Sequence, residues 1–423
     1  MANNLSSNIT RPLAKVFLEA FESSRVLTKT VNTQLLSGRF TPSTGSVVDF
    51  KRPHDYRSIR TAGGDISGET KSDIISGKAS GVVQDYFTAA TEWDNVEEAL
   101  ELDQLDDIIR PMAERIVTDL ELDLGAYMLK NCNLSYGAPG TAIDAWGDVA
   151  GAAALMDSIG VPKEGERYYV MNPFVSTNLA NTQAGLASGD NNLVNTAWMK
   201  SQISSNFGGL RAMMSNALST YTSGDAADRV GALAANPDVT YVTHKDSMQQ
   251  TLSCNGFTAN ATFKAGEIVQ ITGRNRLNLS TRQPLINAAG TVEEFKAVIA
   301  ADATADGAGA VTLLISGPAI FEATGQYNTT DSAVVSGDVI TVLGAASTVY
   351  QPAMFYHKQA FGLGTVKLPK LYSTDTVATT ADGMSIRVSK YSDGDSNKQK
   401  VRFDLLPAYC VFNPFFAGQG FGA

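Results

Sequence analysis

Residues 353 to 366 read Ala-Met-Phe-Tyr-His-Lys-Gln-Ala-Phe-Gly-Leu-Gly-Thr-Val. On physical grounds the stretch is a buried strand. Met354, Phe355 and Tyr356 run together, His357 and Lys358 interrupt, and Phe361, Leu363 and Val366 resume. Gly362 and Gly364 let a neighbouring backbone approach closely, and both are candidate hinge points. Lys358 fits a structural lysine whose stem lies on apolar surface while its ammonium reaches water. No catalytic pattern lies near it.

Upstream, from about Ser223 to Gln351, the texture is different: short β-rich runs, few charges, many Gly, Ala and Thr. Regular short strands over this length predict a small β-barrel or sandwich. Gly266 to Gly273 and Gly337 to Gly344 share a turn-then-strand pattern, which two similar hairpin strands explain without duplication. Residues 144 to 218 alternate a helix signal (Val149 to Ile159) with a strand at Tyr168-Tyr169-Val170-Met171 that Asn172-Pro173 ends. This α/β texture resumes at residue 353, as expected for a domain inserted into a domain.

Toward the N-terminus, Leu13, Val16, Phe17, Ala20 and Phe21 form an apolar stripe at helical spacing after Pro12. The stripe must be covered, either by its own body or by another subunit. Residues 47 to 88 predict a long, glycine-punctuated hairpin, with Val82, Val83, Tyr86 and Phe87 on the returning strand. Its first arm carries Lys51, Arg52, Arg57 and Arg60 against one acid. The tip glycines do not complete a phosphate loop. A short helix over Glu97 to Ile109 follows. Pro111 is then expected to restart a longer one, with Met112, Ile116, Leu120, Leu124 and Tyr127 on one face.

The 423 residues carry a formal net charge of −10, and all of it sits between Glu92 and Asp123, where twelve acids face only Arg110 and Arg115. A solvated face is the usual account of such a run. Twelve mutually repelling acids would also be relieved by a basic partner. The acidic balance excludes a broad nucleic-acid-gripping surface but not a protein that surrounds nucleic acid. Charged content of 18% makes the surface thin in charge, as on a protein covered by partners. Two or three domains are expected at this length. No signal segment or membrane-spanning run is read, so export by the general route is not expected. Cys132, Cys254 and Cys410 are odd in number and far apart, and read as free thiols.

Catalytic constellations fail one by one. His54, His244 and His357 lie in three different regions without ligand spacing. There is no nucleophile elbow and no dinucleotide glycine pattern. Paired carboxylates such as Asp106 and Asp107 are dense, but density alone raises no pKa. No cofactor or metal is expected. The reading is of a non-enzyme, with catalytic parts that converge only in three dimensions left open.

Four places together resemble the major coat protein of short-tailed phages of the P22 type, whose body is the HK97 fold. One is Ala353 to Pro369. The second is Phe257-Thr258 through Phe263 to Ile271, then Thr281-Arg282-Gln283 and Glu294-Phe295. The third is Tyr168 to Pro173. The last is Met384 to Val388 with Val401 to Leu406. The resemblance implies an α+β fold of N-terminal arm (1–46), extended hairpin (47–88), peripheral domain with spine helix (89–143), axial domain (144–222), inserted all-β barrel-like domain (223–351) and a return to the body (352–423). It implies a capsid protein that assembles with itself as hexamers and pentamers, in the host bacterial cytoplasm, into an icosahedral virion shell around double-stranded DNA. A scaffolding protein supplied in trans and a portal would be its other partners, with no membrane involved and expansion on packaging. The insert would help the body fold and tie capsomers together.

Two departures stand out. Tyr241 to Ser253 is shorter than the acidic crossing loop of some relatives; Arg274, Arg276 and Arg282 would substitute for it or form a plain solvated loop. Lys15 stands where relatives suggest an acid at the scaffold contact formed with Leu13, Val16, Phe17 and Phe21. The candidate inter-subunit contact pairs Lys51, Arg52, Arg57 and Arg60 with Glu97, Glu98, Glu101, Asp106, Asp107, Glu114, Asp119 and Glu121 of a neighbour. The competing classes are a shell for protein cargo and a non-assembling adhesion module.

Overall fold

The computed structural model describes residues 15, 18–19, 21, 25–41, 44–94, 105–184, 199–201, 203–323, 325–372, 375–380, 382–393 and 395–423, with side chains throughout except at 105–109 and 184. Leu13, Val16, Phe17, Glu97, Glu98 and Glu101 fall outside these residues. The chain forms two compact units, one of residues 1–50, 80–125 and 361–411 and one of 51–79, 126–360 and 412–423.

In the first unit one antiparallel sheet has the order Ser385–Asp393 between Thr376–Thr379 and Lys398–Leu405, with Phe87–Asp94 at the far edge. Ile386, Val388, Val401, Phe403 and Leu405 are buried on it. A second sheet runs Val47–Lys51, Lys78–Val83, Pro407–Val411, Phe361–Thr365. The N-terminal segment packs on that sheet: Asn32 bridges Gly362 in parallel, with Asn32 N–H donating to Phe361 O at 3.1 Å. Leu36 then sits fully buried against two glycines. A Cβ on Gly364 would stand 2.5 Å from Leu36 Cβ, and one on Gly81 would stand 2.6 Å from Leu36 Cδ2. The expected hinge role of Gly362 and Gly364 is therefore corrected. Both lie inside a paired strand, and Gly364 lacks a side chain because Leu36 occupies the space.

The long helix runs unbroken through Leu105–Lys130 with Pro111 inside it. The expected restart at Pro111 is not observed. The ring removes one backbone donor, and the helix continues because its other bonds and its buried face persist. Ile116, Leu120 and Leu124 are buried as their spacing predicts, with Ala113, Val117 and Met128 beside them, while Met112 and Tyr127 are half-buried.

In the second unit a mixed sheet has the order Leu134–Tyr136, Ala417–Gly420, Ala353–His357, Arg167–Met171, Leu210–Met214, Asn206–Phe207. The helix Trp146–Ile159 covers it, ended by Gly160 in the left-handed region. The opening stretch is thus two strands, Ala353–His357 and Phe361–Thr365, all ten residues buried and each in a different sheet.

The inserted region forms a closed six-stranded antiparallel barrel. Its strands are β1 (Val230–Leu233), β2 (Gln249–Asn255), β3 (Ile268–Asn275), β4 (Glu294–Ile299), β5 (Val311–Ser316) and β6 (Val339–Val342), in the order β2-β5-β4-β3-β6-β1. Alternate side chains fill its interior, including Leu233, Leu252, Ile271, Phe295, Leu313 and Ile340, so it is a packed core and not a pore. The two look-alike segments are neighbours in it, with Val269 opposite Val342 and Ile271 opposite Ile340. Gly266 and Gly337, which open them, both have positive φ, of 102° and 92°. The expected fold class, α+β with an inserted all-β barrel, is the one observed.

Candidate functional site: the assembly surfaces

The chemistry nominated by sequence is engaged in structure. His357 is buried, its Nε2 2.9 Å from Glu164 O while its Nδ1 accepts from Gln359 N–H at 3.2 Å. Burial holds its pKa below the usual histidine value. His244 places its two ring nitrogens 2.8 Å from Gln249 O and Asp238 O, and His54 Nδ1 lies 2.9 Å from Ile75 O. Cys132, Cys254 and Cys410 are buried thiols outside any disulfide, and burial pushes the Cys132 and Cys254 thiols up to about 12. Lys358 Nζ donates to Glu166 Oε2 at 3.2 Å, as a structural lysine does. Among the described residues, no group of three or more metal-ligating side chains comes together, and no helix is long and apolar enough to cross a membrane.

The basic arm divides in two. Lys51, Arg57 and Arg60 are exposed. Arg57 holds the loop's own return, donating from its side chain to Thr70 O at 3.3 Å and from its backbone to Ser72 Oγ at 2.9 Å. Arg52 is instead buried, donating to Lys78 O at 3.0 Å and to Phe412 O, both in its own chain. Its arginine head satisfies carbonyls at the loop's root.

The acids divide too. Glu114 is exposed, and Asp119 pairs with Arg115 at 2.9 Å one helical turn away. Asp106 and Asp107 lie on the helix within the stretch whose side chains are not described. Glu121 is buried and accepts from Val26 N–H at 2.5 Å, Thr28 N–H at 3.3 Å and Thr28 Oγ1 at 3.3 Å. Burial raises its pKa against those hydrogen bonds, and Arg25 nearby lowers it. Glu121 therefore fastens the N-terminal segment to the long helix within one chain. Phe21 is likewise fully buried, with the Arg25 guanidinium 5.6 Å from its ring centre, whereas Lys15 is exposed and pairs with Glu19 at 3.9 Å.

None of the three barrel arginines forms a solvated loop. Arg274 makes a two-pronged contact with Asp338 at 2.6 and 2.7 Å. Arg282 has positive φ, of 56°, and donates to Asn328 O at 2.7 Å and to Asp55. Arg276 is buried: it donates to Asn133 Oδ1 at 2.6 Å and to Lys296 O, with its guanidinium 4.8 Å from the Phe295 ring centre. Burial lowers its pKa to about 9. Asn133 also donates to Ser316 O at 2.8 Å. Sequence reasoning missed three buried polar ties of the barrel: Asn133, Gln419, whose side-chain amide donates to Gly266 O at 2.9 Å, and Glu267, which accepts from Gly224 N–H at 3.2 Å. Polar side chains far apart in the chain give no signal of convergence.

A family model described as P22 coat protein, gene protein 5, matches residues 1–422. The chain belongs to the P22 coat protein family. Membership makes it a structural component of a phage shell. It is 47% identical over 425 residues to a major capsid protein of Acyrthosiphon pisum secondary endosymbiont phage 1, with the whole of each chain covered. Among solved structures it resembles one from Mycobacterium phage Che8 (13% identity, TM-score 0.48, 93% of this chain and 90% of that one). It also resembles the capsid structure of cyanophage P-SCSP1u (12% identity, TM-score 0.46, 93% and 86%).

Proposed function

We propose that this coat protein forms, with copies of itself arranged as hexamers and pentamers, the icosahedral HK97-type wall that encloses the packaged double-stranded DNA of a tailed phage. The observation that carries this reading is the family match over essentially the whole chain, insert included. Assembly takes place in the host cytoplasm with a scaffolding protein supplied in trans and a portal at one vertex. The protein has no catalytic activity. Residues 1–46 act as an arm, 47–88 as an extended loop over a neighbour, 89–143 as the peripheral domain, 144–222 with 352–423 as the axial and returning body, and 223–351 as the insertion domain.

The electrostatic contact between copies narrows to exposed groups. Lys51, Arg57 and Arg60 of one copy face the acids of another copy's helical region, with Glu114 an exposed carboxylate among them. Such pairs orient and speed association more than they tighten it. Each contributes about 0.2–1 kcal/mol, multiplied over the shell. The test is assembly of Arg57→Glu with Arg60→Glu, followed by sedimentation at several salt concentrations. Slower assembly at low salt, with the difference from wild type vanishing at high salt, is expected. Normal shells at low salt would refute the contact.

A further inference from the structure

The root of the extended hairpin is held by the insert of the same chain. Residues 51–79 belong to the second compact unit, as the insert does. Lys78 N–H donates to Asp246 Oδ1 at 3.0 Å, and Gln326 Nε2 donates to Asp73 O at 2.7 Å. Asp55 N–H donates to the Tyr327 hydroxyl at 3.1 Å, while Arg282 pairs with the Asp55 carboxylate. Ile75 packs on an apolar cluster of Tyr241, Met248, Ile320, Tyr327 and Phe415, in which the Tyr241 and Tyr327 rings stack at 3.7 Å. Gly77 passes so close that a Cβ on it would stand 2.6 Å from Lys245 O.

This seat is held in one shape. His244 and Gln250 both reach Asp238 O, at 2.8 and 2.7 Å. The other His244 ring nitrogen lies 2.8 Å from Gln249 O, which closes the turn that carries Tyr241, Lys245 and Asp246. Six non-glycine residues among those described have positive φ, and the two with long side chains, Met248 (53°) and Arg282 (56°), are both in the seat. Left-handed backbone is disfavoured for such residues and persists where the surroundings over-determine it, which is characteristic of functional positions. The hairpin's arms are tied to each other as well. Arg52 N–H donates to Gly77 O at 2.9 Å, His54 Nδ1 lies 2.9 Å from Ile75 O, and Arg57 N–H donates to Ser72 Oγ at 2.9 Å. The two arms therefore move together.

We propose that the insert aims the hairpin: the direction taken by residues 56–72 is set by this seat within one chain, before any neighbour is met. From Asp55 to Gly64 at the tip is nine residues, about 30 Å of extended chain. A tilt of about 10° at the seat therefore carries the tip about 5 Å sideways, as much as the spacing between paired strands. Where the hairpin overlies another subunit, an error of that size takes the tip out of register. That use rests on the shell reading; the seat itself is a property of the single chain.

The experiment measures the hairpin against the barrel in the unassembled full chain. Spin labels at Ser67→Cys and Ser253→Cys, both exposed positions, report that distance by pulsed electron resonance, the native thiols being buried. One narrow distance distribution is expected. Gly77→Ala drives a methyl against the Lys245 carbonyl and is expected to displace the peak by several ångströms. Asp246→Ala, Arg282→Ala and Gln326→Ala combined are expected to widen it roughly twofold or more. Thermal unfolding checks that the barrel persists, and Gly77→Ala, which leaves the insert's sequence untouched, carries the test alone if the triple variant does not fold. Without labels, the folded variants are expected to lose assembly yield several-fold. A broad distribution in the otherwise wild-type chain, or folded variants with an unchanged one, would overturn the proposal. So would normal assembly of a variant whose distribution has shifted or widened. The distance measurement needs no shell, and wild-type particle formation is scored on its own, which keeps failure of the shell reading distinguishable from failure of the seat.

Discussion

Leu36 offers a quantitative test of how the N-terminal segment is held. Its side chain is fully buried and packs against two strands of one sheet at the points where each carries glycine. Backbone on both sides limits collapse after truncation, so Leu36→Ala is expected to cost about 3–4 kcal/mol, within the range for buried leucines. Gly81→Ala alone would bring its methyl to 2.6 Å from Leu36 Cδ2 and force that flexible end to move, at about 1–2 kcal/mol. The two together remove their own conflict, because the truncated side chain no longer has a Cδ2. The double variant is expected to be at least about 1 kcal/mol more stable than the sum of the singles. Gly364→Ala is the control. Its new methyl meets Leu36 Cβ at 2.5 Å and the Leu36 carbonyl oxygen at 3.2 Å, and both atoms survive the truncation to alanine. Pairing it with Leu36→Ala should give no rescue. Urea unfolding of unassembled protein, followed by the fluorescence of the buried Trp93 in the same unit, reads these differences. A cost below about 1 kcal/mol for Leu36→Ala, or equal rescue at both glycines, would refute the reasoning.

Three further outcomes follow from the buried polar groups. Arg276→Met leaves the Asn133 and Lys296 oxygens without their donor and is expected to destabilise by about 2–4 kcal/mol; Arg276→Lys, which lacks the planar fork, should recover less than half of that by denaturant titration. The thiols should resist a thiol-titrating reagent in native protein and all three should react once it is unfolded, because burial covers all three and, at Cys132 and Cys254, disfavours the thiolate. His357 has a folded pKa below its unfolded one, so the unfolded chain binds the proton first. Its contribution is fully present above the unfolded value near 6.5, and is lost as pH falls toward and through the folded value. His357→Gln should therefore flatten the acid limb of the stability–pH curve below about pH 6.5, and an unchanged slope would remove His357 from the account.

Much of the architecture was legible because it depends on local pattern. The continuous apolar run of Tyr168 to Met171, the helical spacing of Ile116, Leu120 and Leu124, and the run of short strands in the insert are each signals carried by neighbouring residues. The barrel and its place inside the body followed from them. Pro111 was misread because propensity describes an isolated turn, while the helix around it is held by its packed face. Gly364 was misread as a hinge because a glycine's permissiveness and a glycine's vacancy leave the same letter. Only Leu36, 328 positions earlier, distinguishes them.

The surfaces were less legible still. Arg52, Arg276 and Glu121 carry charges that sequence assigns to solvent or to a partner. Each satisfies groups that become neighbours only in the fold: a carbonyl at Phe412, an amide at Asn133, the backbone of Val26 and Thr28.

The central claim is that this chain builds a closed shell. Electron microscopy of the protein purified after co-expression with a scaffolding protein tests it most directly. Uniform closed particles with icosahedral symmetry, their walls made of this chain, are the expected result. A field of monomers and small oligomers from folded, soluble protein would contradict it.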